Sequence, residues 1–414
     1  MHRSAWPVAG FACLALMVSN GMTVSGLSVY DIAFIEHFAW SLGEIKFRDL
    51  ITLMLTGLLA PFAGVLLDRY GVRRCMLIGW CVLALAYLAY WRLQTLLTMY
   101  AIHAAFAVVL VFCGLNAAVI LVSNWFTRYR GTAIGIALVG TSLGGALFPQ
   151  YGTAMIAAVG WQGAFFYATA FPLLLFIITA LLVRDRPAGA VEGGASDEVA
   201  CAPPSAGPDA ISYGDAVRST TFWALALIAM ATFYTVLGVQ AHVYKYMRDA
   251  GFDAQIATNA VSLFFLAALA GKFLFGLLAD FIDGRKVFVA NLLVMLLGCL
   301  ILLQMNVDQI WIAMATFGLG WGGVYTLLQF TVMNTFGTRD AGKILGTITI
   351  LDACGGGLGI WLTGIIYDAT GDYRLPFSIF TALVVFALAC LTQVKTPQRR
   401  APVSVGKEES SING

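Results

Sequence analysis

The chain has few charged residues. Only 11% of its 414 residues are Asp, Glu, Lys or Arg, whereas about a quarter is usual for soluble domains. Hydrophobic residues make up 60% of the sequence, more than a water-soluble fold of this size can hide from solvent. The formal net charge of +2 is too small for a nucleic-acid-binding protein. These values exclude the soluble and nucleic-acid-binding classes and predict a chain that folds in a lipid bilayer.

Groupings of metal-binding, disulfide-forming and nucleotide-binding residues are also missing. The eight cysteines form no CxxC pair, and the four histidines are widely spread. No Walker A motif occurs, because Gly271-Lys272 is followed by Phe273 rather than Ser or Thr. We therefore expect no metal site, disulfide framework, cofactor or ATP motor, so that any transport must be driven by gradients. Short loops and the lack of an Asn-x-Ser/Thr sequence favour a bacterial cell inner membrane.

The apolar stretches between charges predict twelve membrane helices. The runs are apolar at every position, which excludes the alternating strands of a barrel. No charge occurs between Arg130 and Arg184, so this run must turn once, at Gly160-Trp161-Gln162. Each helix needs roughly 20 apolar residues. The predicted spans lie near 7–31, 48–67, 75–92, 97–124, 131–157, 162–183, 219–245, 256–279, 287–306, 310–334, 343–366 and 375–394.

We predict an all-α membrane protein made of two six-helix bundles, 1–184 and 215–396. Residues 185–214 are rich in Gly, Ala, Pro and Ser without a hydrophobic period, which is typical of a disordered linker. Residues 397–414 form a short polar tail. With both termini inside, most lysines and arginines lie on the cytoplasmic side, as the positive-inside rule requires. Linker, tail and termini are therefore expected in the cytoplasm.

The two predicted bundles repeat one another. Gly64–Arg74 follows the second span and Gly276–Lys286 follows the eighth, with the same offset between their first glycines and between Asp68 and Asp280. A duplicated six-helix unit is typical of transporters in which two bundles rock around a central site. We expect the glycines to allow close helix approach, and the charges to form state-dependent gates. The gating residues are Gly64, Asp68, Arg69, Gly71, Arg73, Gly276, Asp280, Gly284 and Arg285.

The duplicated loop resembles the signature of the major facilitator superfamily, and the resemblance covers the chain apart from the linker and tails. Asn124–Gly135 looks like the W-F-x-R-x-R-G-x-A-x-G segment of the monocarboxylate and oxalate/formate transporter branch. Residues 240–251 are similar to the end of that branch's seventh helix. The resemblance implies a major facilitator fold and transport of an organic anion, and it leaves the substrate open.

Two other motif matches are better explained by helix packing. Gly140–Gly144 matches the G-x-S-x-G nucleophile elbow, but it lies in an apolar helix and not in a strand-turn-helix context. Gly318–Gly323 matches a dinucleotide fingerprint, but no strand precedes it. Without a paired nucleophile and base or a metal cluster, a membrane enzyme is not favoured. Without a soluble signalling module, a receptor is not favoured either.

Three charged residues stand out as candidates in the predicted spans, because charges inside a membrane are costly and usually face a cavity or a partner. Lys272 and Asp352 each lie roughly 12–13 Å from the inner end of their helices at 1.5 Å per residue. Asp31 lies nearer the outer surface. In the resembled branch a basic residue one turn before the loop glycine binds the substrate carboxylate, and Lys272 occupies that place. The aspartate that monocarboxylate carriers often have one turn earlier is Ala268 here.

These positions predict a site for a small organic anion. Asp352 and, second, Asp31 are the candidates for proton coupling. Lys272 could instead pair structurally with Asp280 or Asp352, and Asp31 with Arg48 could be an outer charge pair; His103 is expected to pack. The candidate substrate-binding residues are Lys272, His242, Tyr30, Arg48 and Asn116.

The sequence thus predicts a monomeric secondary transporter, not an enzyme, that takes up a monocarboxylate with a proton by alternating access. The alternatives are a carboxylate exchanger and a carrier of a larger aromatic or lactone acid.

Overall fold

The computed structural model describes residues 5–126, 129–185, 211–337 and 340–394, and within these all regular structure is helical. The predicted tail and most of the predicted linker, 186–210, lie outside them, as does Arg128. The N-terminal half contains α1 (Trp6–Asn20), α2 (Asp31–Phe38), α3 (Leu42–Tyr70), α4 (Val72–Trp91), α5 (Leu96–Cys113), α6 (Leu115–Trp125), α7 (Arg130–Ala168) and α8 (Ala170–Leu182). The C-terminal half contains α9 (Tyr213–Arg218), α10 (Thr220–Asp249), α11 (Ala254–Phe281), α12 (Gly284–Leu303), α13 (Ile310–Phe336), α14 (Ala341–Thr370) and α15 (Arg374–Leu391).

The described helices make twelve crossings of a membrane. Eleven segments are long and apolar enough to span, and one of them, Arg130–Leu182, has 53 residues. That segment turns at Gly160, whose φ of 73° and ψ of 169° are not helical. The turn predicted at Gly160 is therefore confirmed, and it divides the segment into two spans. The protein is an all-α, twelve-helix membrane protein of the predicted class.

The first crossing is longer and less regular than predicted. It does not end at residue 31: after α1 the chain forms a π-helical turn at Gly21–Ser25 and a 3-10 turn at Ser28–Tyr30, and α2 then continues to Phe38. Phe148 explains the irregular stretch, because a Cβ at Gly21 would lie 2.2 Å from its ring. A Cβ at Gly26 would lie 2.8 Å from the Phe148 Cβ.

The duplication is visible in how glycines pack within each half. A Cβ at Gly144 on α7 would lie 2.4 Å from the Met17 carbonyl oxygen of α1. A Cβ at Gly355 on α14 would lie 2.3 Å from the Met230 carbonyl oxygen of α10. Only glycine permits such backbone contact. The paired glycines therefore have the same role: each allows the fifth membrane helix of its half to pack closely against the first membrane helix of that half.

The duplicated loops also make matching contacts, each inside its own half. The Arg73 guanidinium donates to the Ala180 carbonyl at 2.5 Å, near the end of α8. Arg285 donates to the Thr392 carbonyl at 2.9 Å, just after α15. Cations are favoured at helix C-termini, where carbonyls lack helical partners. Each arginine thus fastens the last helix of its bundle to the loop.

Gly71 makes a sharp turn between α3 and α4, with φ of 82°. Asp185 sits against this turn and accepts a hydrogen bond from the Arg73 backbone N–H at 2.7 Å. A Cβ at Gly71 would lie 2.7 Å from the Asp185 carboxylate. The turn therefore requires glycine both for its positive φ and for the lack of space for a side chain. The close approach expected at the first glycine of each loop is not seen: a Cβ at Gly64 meets nothing within 4 Å, and one at Gly276 only an ordinary contact at 3.4 Å.

The two halves meet along two seams, α3 against α14 and α7 against α11. We call the end of the molecule that carries the Gly64 and Gly276 loops the signature end and the opposite end the closed end. At the closed end a Cβ at Gly364 would lie 3.2 Å from the Gly43 Cα. Asp368 of α14 accepts the backbone N–H groups of Leu42 and Gly43 at 3.0 and 2.7 Å, across the seam. A carboxylate is favoured at this position because helix N-termini are partially positive.

At the signature end the same helices separate. A Cβ at Gly131 or Gly135 on α7, or at Gly342 or Gly346 on α14, would meet no atom within 4 Å. The seams therefore close toward one end of the molecule and open toward the other.

We expect Asp368→Asn to loosen the closed end. The amide keeps one acceptor oxygen but loses the charge that two helix N–H groups share, and hydrogen bonds to charged groups contribute about 1.5–3 kcal/mol. Spin labels at positions 36 and 375, both exposed at this end, should show a longer or broader distance distribution than the parent in a cysteine-free background. Asp372→Asn is the control, because Asp372 accepts from Arg374 within its own half. Identical distributions for Asp368→Asn and the parent would contradict the role of this contact.

Candidate functional site

A cavity of about 510 Å³ lies between the two halves at the level where the seams open. Helices α1, α3, α5, α6 and α7 of the N-terminal half line it, together with α10, α11, α13 and α14 of the C-terminal half. Only two charged side chains, Lys272 and Asp352, are found on its described walls. The sequence predicts that both residues lie at the same depth in the membrane.

Lys272 reaches across the seam from α11 to α7. Its ammonium donates to the Thr141 hydroxyl at 3.0 Å and to the Ser142 hydroxyl at 3.1 Å. No carboxylate of the described residues lies within 4.0 Å of it. The alternative of a structural ion pair with Asp280 or Asp352 is therefore absent from this conformation. An ammonium has three N–H donors, so two are used by hydroxyls and one can serve an anion.

Asp352 lies on α14, and the cavity wall around it includes Tyr325 and Gln329 of α13 and Thr349 one turn away. No basic side chain of the described residues is within ion-pair distance of it. The cavity thus places one unpaired basic group and one unpaired acidic group on different helices of the C-terminal half.

Five aromatic side chains, all from the C-terminal half, also line the cavity. Phe233 of α10 contacts Trp321 of α13 edge to face, with centroids 4.9 Å apart, and Trp321 lies 6.4 Å from Tyr325. Phe265 and Phe273 of α11 belong to the same wall. This surface suits an apolar or aromatic body attached to an anionic group.

The other residues predicted to bind substrate divide between the cavity and the closed end. Asn116, on α6, lines the cavity. Tyr30 is buried against Phe165, with ring centroids 4.4 Å apart. His242 is fully buried and contacts the Ile360 carbonyl at 2.9 Å and the Tyr373 hydroxyl at 3.3 Å. Tyr30 and His242 are not among the cavity-lining residues.

Asp31 and Arg48 are also outside the cavity, in a buried ionic cluster toward the closed end. One oxygen of the Asp31 carboxylate accepts a hydrogen bond from the Arg48 guanidinium at 2.6 Å, and the other oxygen pairs with the Lys46 ammonium. Arg48 also donates to the Leu27 carbonyl at 3.2 Å. Lys46 bridges the halves by donating to the Ala241 carbonyl of α10 at 2.8 Å. The charge pair considered for Asp31 and Arg48 is present, and it is fully buried rather than at the surface.

His103 lies next to this cluster and packs as expected, between Thr52 at 2.8 Å and Tyr90 at 2.7 Å. Sequence reasoning missed Lys46 as a member of the cluster, because it lies just before the predicted second span, 48–67. It also missed Thr141 and Ser142. These lie inside the Gly140–Gly144 run, whose glycines were correctly interpreted as packing residues.

The predicted gating residues lie at the signature end. Asp68, Arg69 and Asp280 are exposed, and among the described residues neither aspartate takes part in an ion pair. Gly284, at the start of α12, packs against Phe330.

The chain belongs to the Major Facilitator Superfamily, whose family profile matches residues 11–348 and 243–414. It is 25% identical over 375 residues to the bovine monocarboxylate transporter 13, covering 86% of this chain and 82% of that protein. It is 24% identical to the riboflavin transporter of Saccharomyces cerevisiae, covering 91% and 74%. The fold is similar to the crystal structure of a bacterial homologue of the human lysosomal transporter Spinster, with a TM-score of 0.68, 16% identity and coverage of 94% and 95%. The protein is therefore a multi-pass membrane transporter with monocarboxylate transporters among its relatives.

We expect two glycines of α7 to differ in how well they tolerate replacement by cysteine. Gly135 lines the cavity and has free space around it, whereas a Cβ at Gly144 would collide with the Met17 carbonyl. In a cysteine-free background, Gly135→Cys should fold normally and react with a water-soluble thiol reagent. Gly144→Cys should lower the melting temperature, since overpacking costs about 1–3 kcal/mol. An unreactive cysteine at 135, in folded protein, would contradict an open, hydrated cavity.

Proposed function

We propose that this transporter moves a small organic anion, a monocarboxylate, together with a proton by alternating access. The observation that carries the proposal is Lys272, a cation in the cavity with hydroxyl partners and no described carboxylate beside it. A cation at such depth costs about 3 kcal/mol on insertion scales. A transported carboxylate would offset that cost, because it brings the missing negative charge and exchanges its water for a fixed partner.

The arrangement of the seams supports the alternating-access part of the proposal. The seams are tightly packed at the closed end and have free space at the signature end, as expected of a carrier open on one side. By the positive-inside rule, the signature end faces the cytoplasm and both termini lie inside, in a bacterial cell inner membrane. Asp68 and Asp280 would then be gates that engage when the cytoplasmic side closes, which accords with their exposure in this open-sided conformation. The carrier would work as a monomer, since the cavity is built from one chain.

Asp352 is our candidate for the proton. It is the other charged group of the cavity, and its carboxyl group is not neutralised by a described basic residue. A carboxyl that is protonated and deprotonated once per cycle would couple uptake to a proton gradient. Asp31 is the weaker candidate, because its two carboxyl oxygens are already paired with Lys46 and Arg48 in the interior.

Lys272→Gln should abolish carboxylate binding while the protein still inserts and folds. The measurement is thermal stabilisation of purified protein by a panel of lactate, pyruvate, benzoate and phenylacetate. Lys286→Gln, at the exposed signature end, removes the same charge away from the cavity and should behave like the parent. Equal stabilisation of the parent and Lys272→Gln would show that the anion binds elsewhere. Lys272→Arg should retain part of the affinity with altered preference, because a guanidinium fork is wider than an ammonium.

Asp352→Asn should lose proton-driven accumulation but keep exchange of labelled for unlabelled substrate. The amide can occupy the same space but cannot carry a proton through the cycle. Proteoliposomes with and without a pH gradient separate the two activities, and Asp308→Asn, exposed on the loop before α13, is the control. Accumulation with the parent's pH dependence would make Asp352 structural. Exchange without accumulation in the parent would instead favour the carboxylate exchanger.

The aromatic wall favours one alternative within transport, a larger aromatic acid. A cavity of about 510 Å³ falls within the range of sites for drug-sized ligands, about 300–1,000 Å³. If the wall contacts substrate, benzoate and phenylacetate should stabilise the protein more than lactate, and Trp321→Ala should erase the difference. A preference for lactate would favour the small monocarboxylate.

A further inference from the structure

The hydroxyls that hold Lys272 do not have equivalent hydrogen-bonding roles. The Thr141 hydroxyl donates its single hydrogen to the Leu138 carbonyl of its own helix at 2.8 Å. A hydroxyl has one hydrogen and two acceptor sites, so Thr141 can only accept from the Lys272 ammonium. Thr141 therefore orients the ammonium and has no donor left for a ligand.

Ser142 differs in this respect. Its oxygen accepts from Lys272 at 3.1 Å, and no acceptor among the described residues receives its hydrogen. The side chain is only 2% exposed, yet it belongs to the cavity wall. A buried hydroxyl on a cavity wall, with no described acceptor for its hydrogen, has a donor available for a ligand.

Glycines around Ser142 bring it to this position. Gly140 and Gly144 seat α7 on α1, since their Cβ atoms would lie 2.0 and 2.4 Å from carbonyl oxygens of that helix. Gly145 seats α7 on α11, since its Cβ would lie 2.3 Å from the ring of Phe265. With a larger residue at any of these positions, α7 could not stay close to both helices, and Ser142 would not reach Lys272.

We propose that Ser142 is the second donor of the carboxylate site, so that one anion is bound by both halves of the transporter. This inference rests on the proposed function of Lys272. The free N–H of Lys272, from the C-terminal half, donates to a carboxylate oxygen. Ser142, from the N-terminal half, donates its O–H to the same carboxylate. Thr141 is a positioning residue that holds the ammonium. The bound anion then strengthens the contact between the halves at the level where the seams begin to open.

The test measures the dissociation constants of benzoate and lactate for purified protein by titration calorimetry. Ser142→Ala should weaken binding of the preferred acid about tenfold, the amount expected when a hydrogen bond to a charged group is lost. Ser262→Ala is the matched control on the same seam. Ser262 bonds Gln150 and the Ala146 carbonyl and does not line the cavity, so its replacement should leave the dissociation constant unchanged.

Thr141→Val should weaken binding only about threefold, because it removes an acceptor of the ammonium and no ligand donor. Thr141→Ser, which keeps the hydroxyl, should restore the parent value. Three outcomes are distinguishable. Loss of binding in Lys272→Gln with the tenfold effect of Ser142→Ala supports the composite site. Loss in Lys272→Gln with an unchanged dissociation constant in Ser142→Ala overturns the role of Ser142 alone. Binding of neither acid by the parent, or unaltered binding by Lys272→Gln, overturns the proposed function and this inference with it.

Discussion

The cost of placing an ammonium group in a low-dielectric interior governs the centre of this transporter. The Lys272 ammonium requires hydrogen-bond partners at that depth. In the described structure these partners are hydroxyl groups and not a carboxylate. Hydroxyls satisfy N–H donors without neutralising the charge. The Lys272 ammonium consequently keeps a charge that no adjacent carboxylate neutralises, and the aromatic side chains of the same wall accord with the proposed site for an anion that has an apolar body.

The buried cluster at the closed end meets the same constraint differently. Asp31 accepts hydrogen bonds from both Lys46 and Arg48. Lys46 also donates to the Ala241 carbonyl and Arg48 to the Leu27 carbonyl, and the Asp49 carboxylate lies 3.7 Å from the Arg48 Nε. Removing one partner from a buried charged group leaves the others uncompensated, which is strongly destabilising. The cluster therefore suits a structural role, and the cavity, with its incomplete pairing, suits a binding role.

The extent of sequence-based prediction differed between fold and site. The length of the apolar runs predicts the twelve helices, and the lack of charged residues between Arg130 and Arg184 predicts the turn at Gly160. The repeated loop residues predict the duplication. All three are local or periodic signals in the sequence. The depths of Lys272 and Asp352 followed from helical rise. Packing between distant segments decides which helix faces meet. The sequence therefore could not show that Asn116 lines the cavity while His242 and Tyr30 do not. The partnership of Ser142 with Lys272 links residues 130 positions apart, and no one-dimensional pattern records it.

The location of the Asp368 contact has a consequence for the energetics of the cycle. The N–H groups of Leu42 and Gly43 that it caps are at the very start of α3, at one end of the molecule, and the next N–H, that of Glu44, is capped by Ser41 within the same half. When the halves part there, water can take the place of the carboxylate on both N–H groups. Such an exchange changes the free energy by about 1.5–3 kcal/mol per hydrogen bond, because the acceptor is charged. In the proposed alternating-access cycle, the contact therefore biases the equilibrium toward the shape that is closed at this end.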